Sequence, residues 1–158
     1  MIMKKILSFA LVALMLSSCA AKRGGNPIDE GWYADPEGVI FGDTYWIYPT
    51  WSQPFKDQLH FDCFSSKDLV TWTKHERIVD NTRVTWIQSA LWAPSIIEKG
   101  GKYYLFFSAN NIHEGEYGGI GIAVADNPAG PFEDTSASHS LVRLSMAHSL
   151  STNSYSKM

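Results

Sequence analysis

Cysteine is nearly missing from this chain. Only Cys19 and Cys63 carry a thiol among 158 residues, and Cys19 lies inside an N-terminal targeting segment. That leaves one thiol for the folded part, which cannot close an internal disulfide, so the fold must rest on its apolar core. Cys63 sits in the run Leu59-His60-Phe61-Asp62-Cys63-Phe64 and reads as a small hydrophobe on a strand, not as a nucleophile. Charge is sparse too: Asp, Glu, Lys and Arg make up 18% of the chain, and the formal net charge is −3. With no basic patch, nucleic acid is not an expected partner. Beyond the first residues no apolar run approaches membrane-spanning length, and no convincing helical period appears. Gly119-Ile120-Gly121 lacks the third glycine of a phosphate-binding loop and leads into a strand pattern. Aromatic residues, by contrast, reach 13%, enough for a chain that buries a core instead of staying disordered.

The N-terminus carries its own signal. Lys4 and Lys5 give a positive start, and residues 6–16 are apolar but too short to cross a bilayer. Leu16-Ser17-Ser18-Cys19 follows. This is the pattern of an export signal with small residues at the cut, and it resembles a bacterial lipoprotein box. Residues 1–18 then form the signal peptide, and Cys19 becomes the lipidated first residue of an exported protein anchored to the bacterial envelope. A plain secretory signal with an incidental cysteine is the alternative. Loss of Lys4 and Lys5 takes the formal charge from −3 to −5. Residues 19–26 are polar and glycine-containing, a tether between anchor and domain.

From residue 27 the chain reads as all-β. Short runs rich in aromatic and β-branched residues lie at 44–48, 59–64, 102–107 and 120–124, each bounded by Gly, Asp, Asn or Pro. The chain also repeats: a shift of 59 lays Tyr33-Ala34 on Trp92-Ala93, Asp35 on Pro94, Gly42 on Gly101, Tyr45 on Tyr104 and Ser66 on Ala125. Trp72 falls on Pro131, next to Phe132. Each unit holds several strands and ends in a polar corner, at 65–72 and again at 125–132. A repeat of several short strands points to propeller blades, although 59 residues exceeds the usual blade period of about 40–50. A β-sandwich of compositionally similar strands is the competing arrangement. Two units leave a propeller open, since closure takes at least about four blades.

These residues carry a family resemblance. Trp32-Tyr33-Ala34-Asp35-Pro36-Glu37-Gly38, followed by Gly42-Asp43-Thr44-Tyr45-Trp46, resembles the first blade of glycoside hydrolase family 43. Leu91-Trp92-Ala93-Pro94-Ser95, then Gly101-Lys102-Tyr103-Tyr104-Leu105-Phe106-Phe107, resembles its second, and residues 119–132 continue the likeness. The resemblance spans about residues 26–143. It implies a five-bladed propeller with the site at one mouth of its channel, of which residues 27–143 hold blades one and two. It also implies inverting hydrolysis of α-L-arabinofuranosides or β-D-xylosides in plant polysaccharides, with no cofactor and no metal. The family uses an Asp base, a Glu acid and a second Asp that tunes the acid. Only the base has a counterpart in this chain, Asp35. Read without the family, Asp35-Pro36 is also an ordinary turn pair. Related fructan-acting propellers place Asn before the Asp-Pro pair, where Ala34 stands in this sequence.

Trp92 matches a family tryptophan near the sugar, with blade packing as its other reading. Trp51 and Trp86 are further candidates for the mouth, though each also suits a core. His113, Glu114 and Glu116 share one Gly-rich loop that reads as a solvated tip more than as an acid–base cluster. After Val142 the strand pattern stops, and residues 144–158 read as an aberrant tail. One codon choice for residues 146–154, read one base earlier, spells NGAQSIDQF, like the motif that opens the family's next blade. A frameshift near residue 143 is therefore expected, leaving the acid and the tuning carboxylate outside this chain and the chain inactive. The alternative function is a lipid-anchored module that binds sugar without catalysis. The targeting segment yields a direct test: mass spectrometry of the protein made in a diderm bacterium should find a lipid-modified Cys19 as the first residue. An intact Met1, or an unlipidated soluble product, rules the lipoprotein reading out.

Overall fold

A computed structural model describes residues 24–110 and 118–135 of the chain. Cys19, His113, Glu114, Glu116 and the tail of residues 144–158 lie outside the described residues. Eight strands follow one another: β1 (Tyr33–Phe41), β2 (Thr44–Trp51), β3 (His60–Ser66), β4 (Thr73–Asp80), β5 (Trp92–Lys99), β6 (Lys102–Ala109), β7 (Gly119–Ala125) and β8 (Glu133–Asp134). One 3-10 turn, Phe55–Asp57, interrupts the β2–β3 connection. The strands form two four-stranded antiparallel sheets, each in simple sequence order, β1-β2-β3-β4 and β5-β6-β7-β8. Apart from that turn the described residues are all-β, and each sheet is one blade.

Both blades are built from the same local chemistry. A tight turn joins the first two strands, with Gly42 (φ 62°) in blade one and Gly100 and Gly101 (φ 63° and 75°) in blade two. Only glycine takes this left-handed conformation without strain. Asx turns form the corners after the third strand. The Asp68 carboxylate accepts from the Val70 and Thr71 amides at 2.9 and 2.7 Å, which hold its pKa down to about 2. Asn127 takes the same place in blade two, its side-chain oxygen accepting from the Ala129 amide at 2.8 Å.

The repeat is real, but its register differs from the sequence match. The closing pairs of the first hairpins are Phe41 with Thr44 and Lys99 with Lys102, which sets the shift at 58. Asp35 therefore corresponds to Ala93, not Pro94, and Gly42 to Gly100. The third strands correspond at 59, since Tyr45 pairs with Ser66 and Tyr103 with Ala125. The fourth correspond at 60, since Ser65 pairs with Thr73 and Val124 with Glu133, which aligns Trp72 with Phe132. The first connection is equally long in both blades, the second and third are each one residue longer in blade two, and a single sequence offset averages over the drift.

The core lies between the two sheets. Blade one contributes Trp46, Tyr48, Phe61, Cys63, Ile78 and Val79, while blade two contributes Ile96, Leu105, Phe107, Ala123 and Phe132. Val84, Ile87 and Leu91 of the connecting segment fill the space between them. Two hydrogen bonds cross this core: the Tyr48 hydroxyl donates to the Pro128 carbonyl, and the Phe132 amide donates to the Ile78 carbonyl, each at 2.7 Å. Burial raises the Cys63 thiol's pKa, with a smaller contribution from the nearby Asp62 charge. Cys63 is thus a neutral core residue, as its sequence context implies.

Trp86 belongs to this core as well. Its indole stacks on Phe107 at 5.7 Å with an interplanar angle of 17°. Gly121 makes the stack possible, because a Cβ there would lie 2.5 Å from both the Phe107 and Trp86 rings. Gly119-Ile120-Gly121 is thus strand backbone beneath an aromatic pair. Gly121→Ala should lower stability by about 1–3 kcal/mol through overpacking, read as a shift in the urea midpoint. An unchanged midpoint would show that the two rings move aside at little cost.

Candidate active site

The start of β1 and the start of β5 are both bulged. Register shifts between Ala34 and Glu37 in one blade, and between Trp92 and Ser95 in the other. Both bulges contain a residue before proline in the left-handed region, Asp35 at φ 45° and Ala93 at φ 49°. Aspartate tolerates this conformation better than most residues, whereas alanine is strained there. Extra residues at bulges re-aim side chains. Asp35 thereby enters a cleft of about 350 Å³ lined by residues of both blades: Ala34, Asp35, Thr50, Ser52, Phe55, Gln58, Trp92, Ala93 and Ser108.

The cleft is held from several sides. Thr50, buried at 2% exposure, pairs with Ala34 across the hairpin. Its Oγ1 accepts from the Ala93 amide at 2.8 Å and donates to Asp35 Oδ2 at 3.4 Å. Gln58, also buried, accepts from the Trp92 indole N–H at Oε1 and donates from Nε2 to the Trp51 carbonyl at 3.2 Å. Phe55 stands edge-on to Trp92 at 5.4 Å and keeps more than half its surface exposed. The 3-10 turn carrying Phe55 is itself clamped to the inter-blade connection, since Phe55 O accepts from the Ala90 amide and Gln58 O from the Leu91 amide.

Two residues before Asp35, β1 is anchored by a buried carboxylate. The Tyr33 hydroxyl donates to Asp62 Oδ2 at 2.7 Å, and Asp62 Oδ1 accepts from the Arg77 amide at 2.9 Å. Lys74 Nζ lies 3.4 Å from Asp62 Oδ2. Burial pushes the Tyr33 hydroxyl up to about 12, with the Lys74 hydrogen bond opposing and Asp62 adding to the rise. His60, 3.6 Å from Asp62, is held below its usual pKa by burial. It is therefore mostly neutral at pH 7 and adds no full ion pair.

The sequence candidates divide clearly in space. Asp35 and Trp92 come together in the cleft from different blades. Trp51 packs against His60 at 4.1 Å between ring centroids and is not among the cleft's lining residues. Trp86 is in the core. Thr50, Gln58, Phe55 and Ser108 line the cleft without having been singled out in the sequence. The repeat offered one signal, because Thr50 and Ser108 correspond at the true shift of 58. Among the described residues, no group of three His, Cys, Asp or Glu side chains is arranged to hold a metal ion.

Gln58 gives this arrangement a test. Gln58→Leu strands the Trp92 indole N–H and the Trp51 carbonyl. It should destabilise the chain by about 1–3 kcal/mol for a buried group left unpaired, with a change in tryptophan fluorescence. Equal stability and an unchanged spectrum would show that water replaces the amide.

Comparison with known proteins agrees with this architecture. Residues 24–144 match the model of Glycosyl hydrolases family 43. The chain is 41% identical over 133 residues to a β-D-galactofuranosidase of Aspergillus niger, covering 77% of this chain and 38% of that protein. It is 33% identical over 112 residues to a xylosidase/arabinosidase of Humicola insolens, covering 63% of this chain and 34% of that protein. Its structure resembles a family 43 β-xylosidase/α-arabinofuranosidase from a compost microbial metagenome, solved with xylotriose, at a TM-score of 0.61 and 29% identity. That match covers 73% of this chain and 39% of the other. The chain spans less than two fifths of the length of each of these relatives. Two four-stranded sheets in blade order, matched by the family model over most of the chain, are thus blades of a family 43 propeller, and the chain belongs to glycosyl hydrolase family 43.

Proposed function

We propose that this chain supplies the base-carrying part of an inverting glycosidase site acting on α-L-arabinofuranosides or β-D-xylosides, with Asp35 as the general base. One observation carries the reading: among the described residues Asp35 is the single carboxylate lining the cleft, and Trp92 of the other blade lines the same cleft. Inverting hydrolysis needs a carboxylate that activates water on the face opposite the leaving group, about 6.5–9.5 Å from the acid. Asp35 takes a proton from water as its oxygen attacks the anomeric carbon. The bond to the leaving oxygen breaks, and a general acid protonates that oxygen. The acid and the carboxylate that tunes it, both implied by the family, belong to blades beyond the two described. Trp92, gripped at its indole N–H by Gln58, offers a fixed apolar face for a sugar ring. The targeting segment supports an exported protein, held to the envelope through Cys19, that meets plant-type oligosaccharide or polysaccharide outside the cell.

A second reading draws on the same cleft. One carboxylate beside Trp92 and Phe55 suits a module that binds sugar without cleaving it. Kinetics separate the two. The 158-residue chain should cleave aryl arabinofuranoside, xyloside and galactofuranoside slowly or not at all, since general acid help is worth about 10²–10⁴ in rate. The chain extended in the frame that spells NGAQSIDQF should be active, and Asp35→Ala in that extended protein should lose at least about 10² in rate. Full activity from the 158-residue chain would falsify the divided site. Undiminished rates in extended Asp35→Ala would remove Asp35 from the base role.

A further inference from the structure

We propose that Thr50 is a positioning residue for Asp35, and that it transmits the seating of blade two to the carboxylate. This rests on the reading of Asp35 as the base and adds the group that aims it. The argument begins with the direction of the hydrogen bonds. An amide nitrogen can only donate, so the Ala93 N–H, 2.8 Å away, occupies a lone pair of Thr50 Oγ1. The hydroxyl proton is left free to point elsewhere. At 2% exposure Thr50 has little water to serve, and the acceptor within reach is Asp35 Oδ2 at 3.4 Å. The chain of donors thus runs one way, from the Ala93 amide through the Thr50 hydroxyl to the Asp35 carboxylate. One carboxylate oxygen is engaged from the β2 side.

Three further features make Thr50 more than a neighbour. Its side chain is β-branched, so its rotamer is stiff and the hydroxyl is held in place. It lies on β2 opposite Ala34, directly beside the bulge that turns Asp35 into the cleft. Finally, the amide that fixes it belongs to Ala93, the blade-two counterpart of Asp35, at a left-handed φ of its own. The two equivalent bulges therefore converge on one hydroxyl. Ser108, the counterpart of Thr50 in blade two, instead donates to the Trp92 carbonyl of its own blade at 3.4 Å. The cross-blade link is specific to blade one, where the carboxylate is.

Two measurements test this independently of one another. In the 158-residue chain, NMR couplings across the Asp35 Cα–Cβ bond should report one side-chain rotamer for wild type and Thr50→Ser. They should report rotamer averaging for Thr50→Val and Thr50→Ala, with faster hydrogen exchange at the Ala93 amide. Two hydroxyl-free variants of different size guard against one that fails to fold, and Thr50→Ser shows whether the hydroxyl suffices. A single unchanged Asp35 rotamer in either folded hydroxyl-free variant overturns the proposal. In the extended, active protein, Thr50→Val should lower kcat by about 10- to 10²-fold with KM little changed, and Thr50→Ser should restore most of the rate. Rotamer averaging in Thr50→Val with kcat unchanged supports the positioning but removes Asp35 from the chemistry. That outcome distinguishes a failure of the base assignment from a failure of this proposal.

Discussion

The inner edge of blade two is the constraint on which the rest of this structure depends. β5 is the first strand of its sheet, so the amides on its free side have no strand to bond. Unpaired buried amides are costly. Two side chains of blade one satisfy them: Thr50 takes the Ala93 amide, and Glu37 Oε2 takes the Ile96 amide at 2.8 Å. Both come from the β1–β2 hairpin that carries Asp35. The contacts that close the edge of one blade therefore also fix its position against the carboxylate of the other.

Burial acts in the same direction. Neither sheet has a core of its own, because a single four-stranded sheet has no second layer to cover its apolar face. Phe61 of blade one meets Phe107 of blade two edge-on at 6.3 Å, and Phe41 meets Tyr103 at 4.9 Å. The connection between blades is part of this packing. Asp80 at its start accepts from the Thr82 hydroxyl and amide and lies 3.4 Å from Arg83 Nη1. Burial alone would raise the Asp80 pKa, but these hydrogen bonds outweigh it and the net shift is downward. Its contribution to stability is then complete above the unfolded aspartate's pKa and is lost as pH falls through the lower folded value.

The cleft arises where these constraints meet. The polar groups that shape it, Thr50 and Gln58, bond across to blade two through the Ala93 amide and the Trp92 indole. The aromatic lining comes from both sides, Phe55 and Trp92, while the carboxylate comes from one. The bulge recurs in both blades, yet only blade one carries a carboxylate at it.

Much of this was legible in the sequence, because short runs rich in aromatic and β-branched residues, bounded by Gly, Asp, Asn or Pro, read as strands. The all-β class, the two units and their polar corners could be read from those runs, whereas Asp35 and Trp92 drew attention only through the family motifs. The family motifs are short, contiguous strings, which is why a single chain reveals them. What sequence could not decide was anything set by distances between blades. The shift grows from 58 to 60 along the repeat, which a fixed offset cannot express, so Pro94 stood where Ala93 belongs. Trp51 and Trp92 are the same residue type in similar settings. Only packing sends one against His60 and the other into the cleft. Thr50 lies in an apolar run where nothing marks it out. It gains a role because an amide 43 residues away, on the edge of the other blade, points at its hydroxyl.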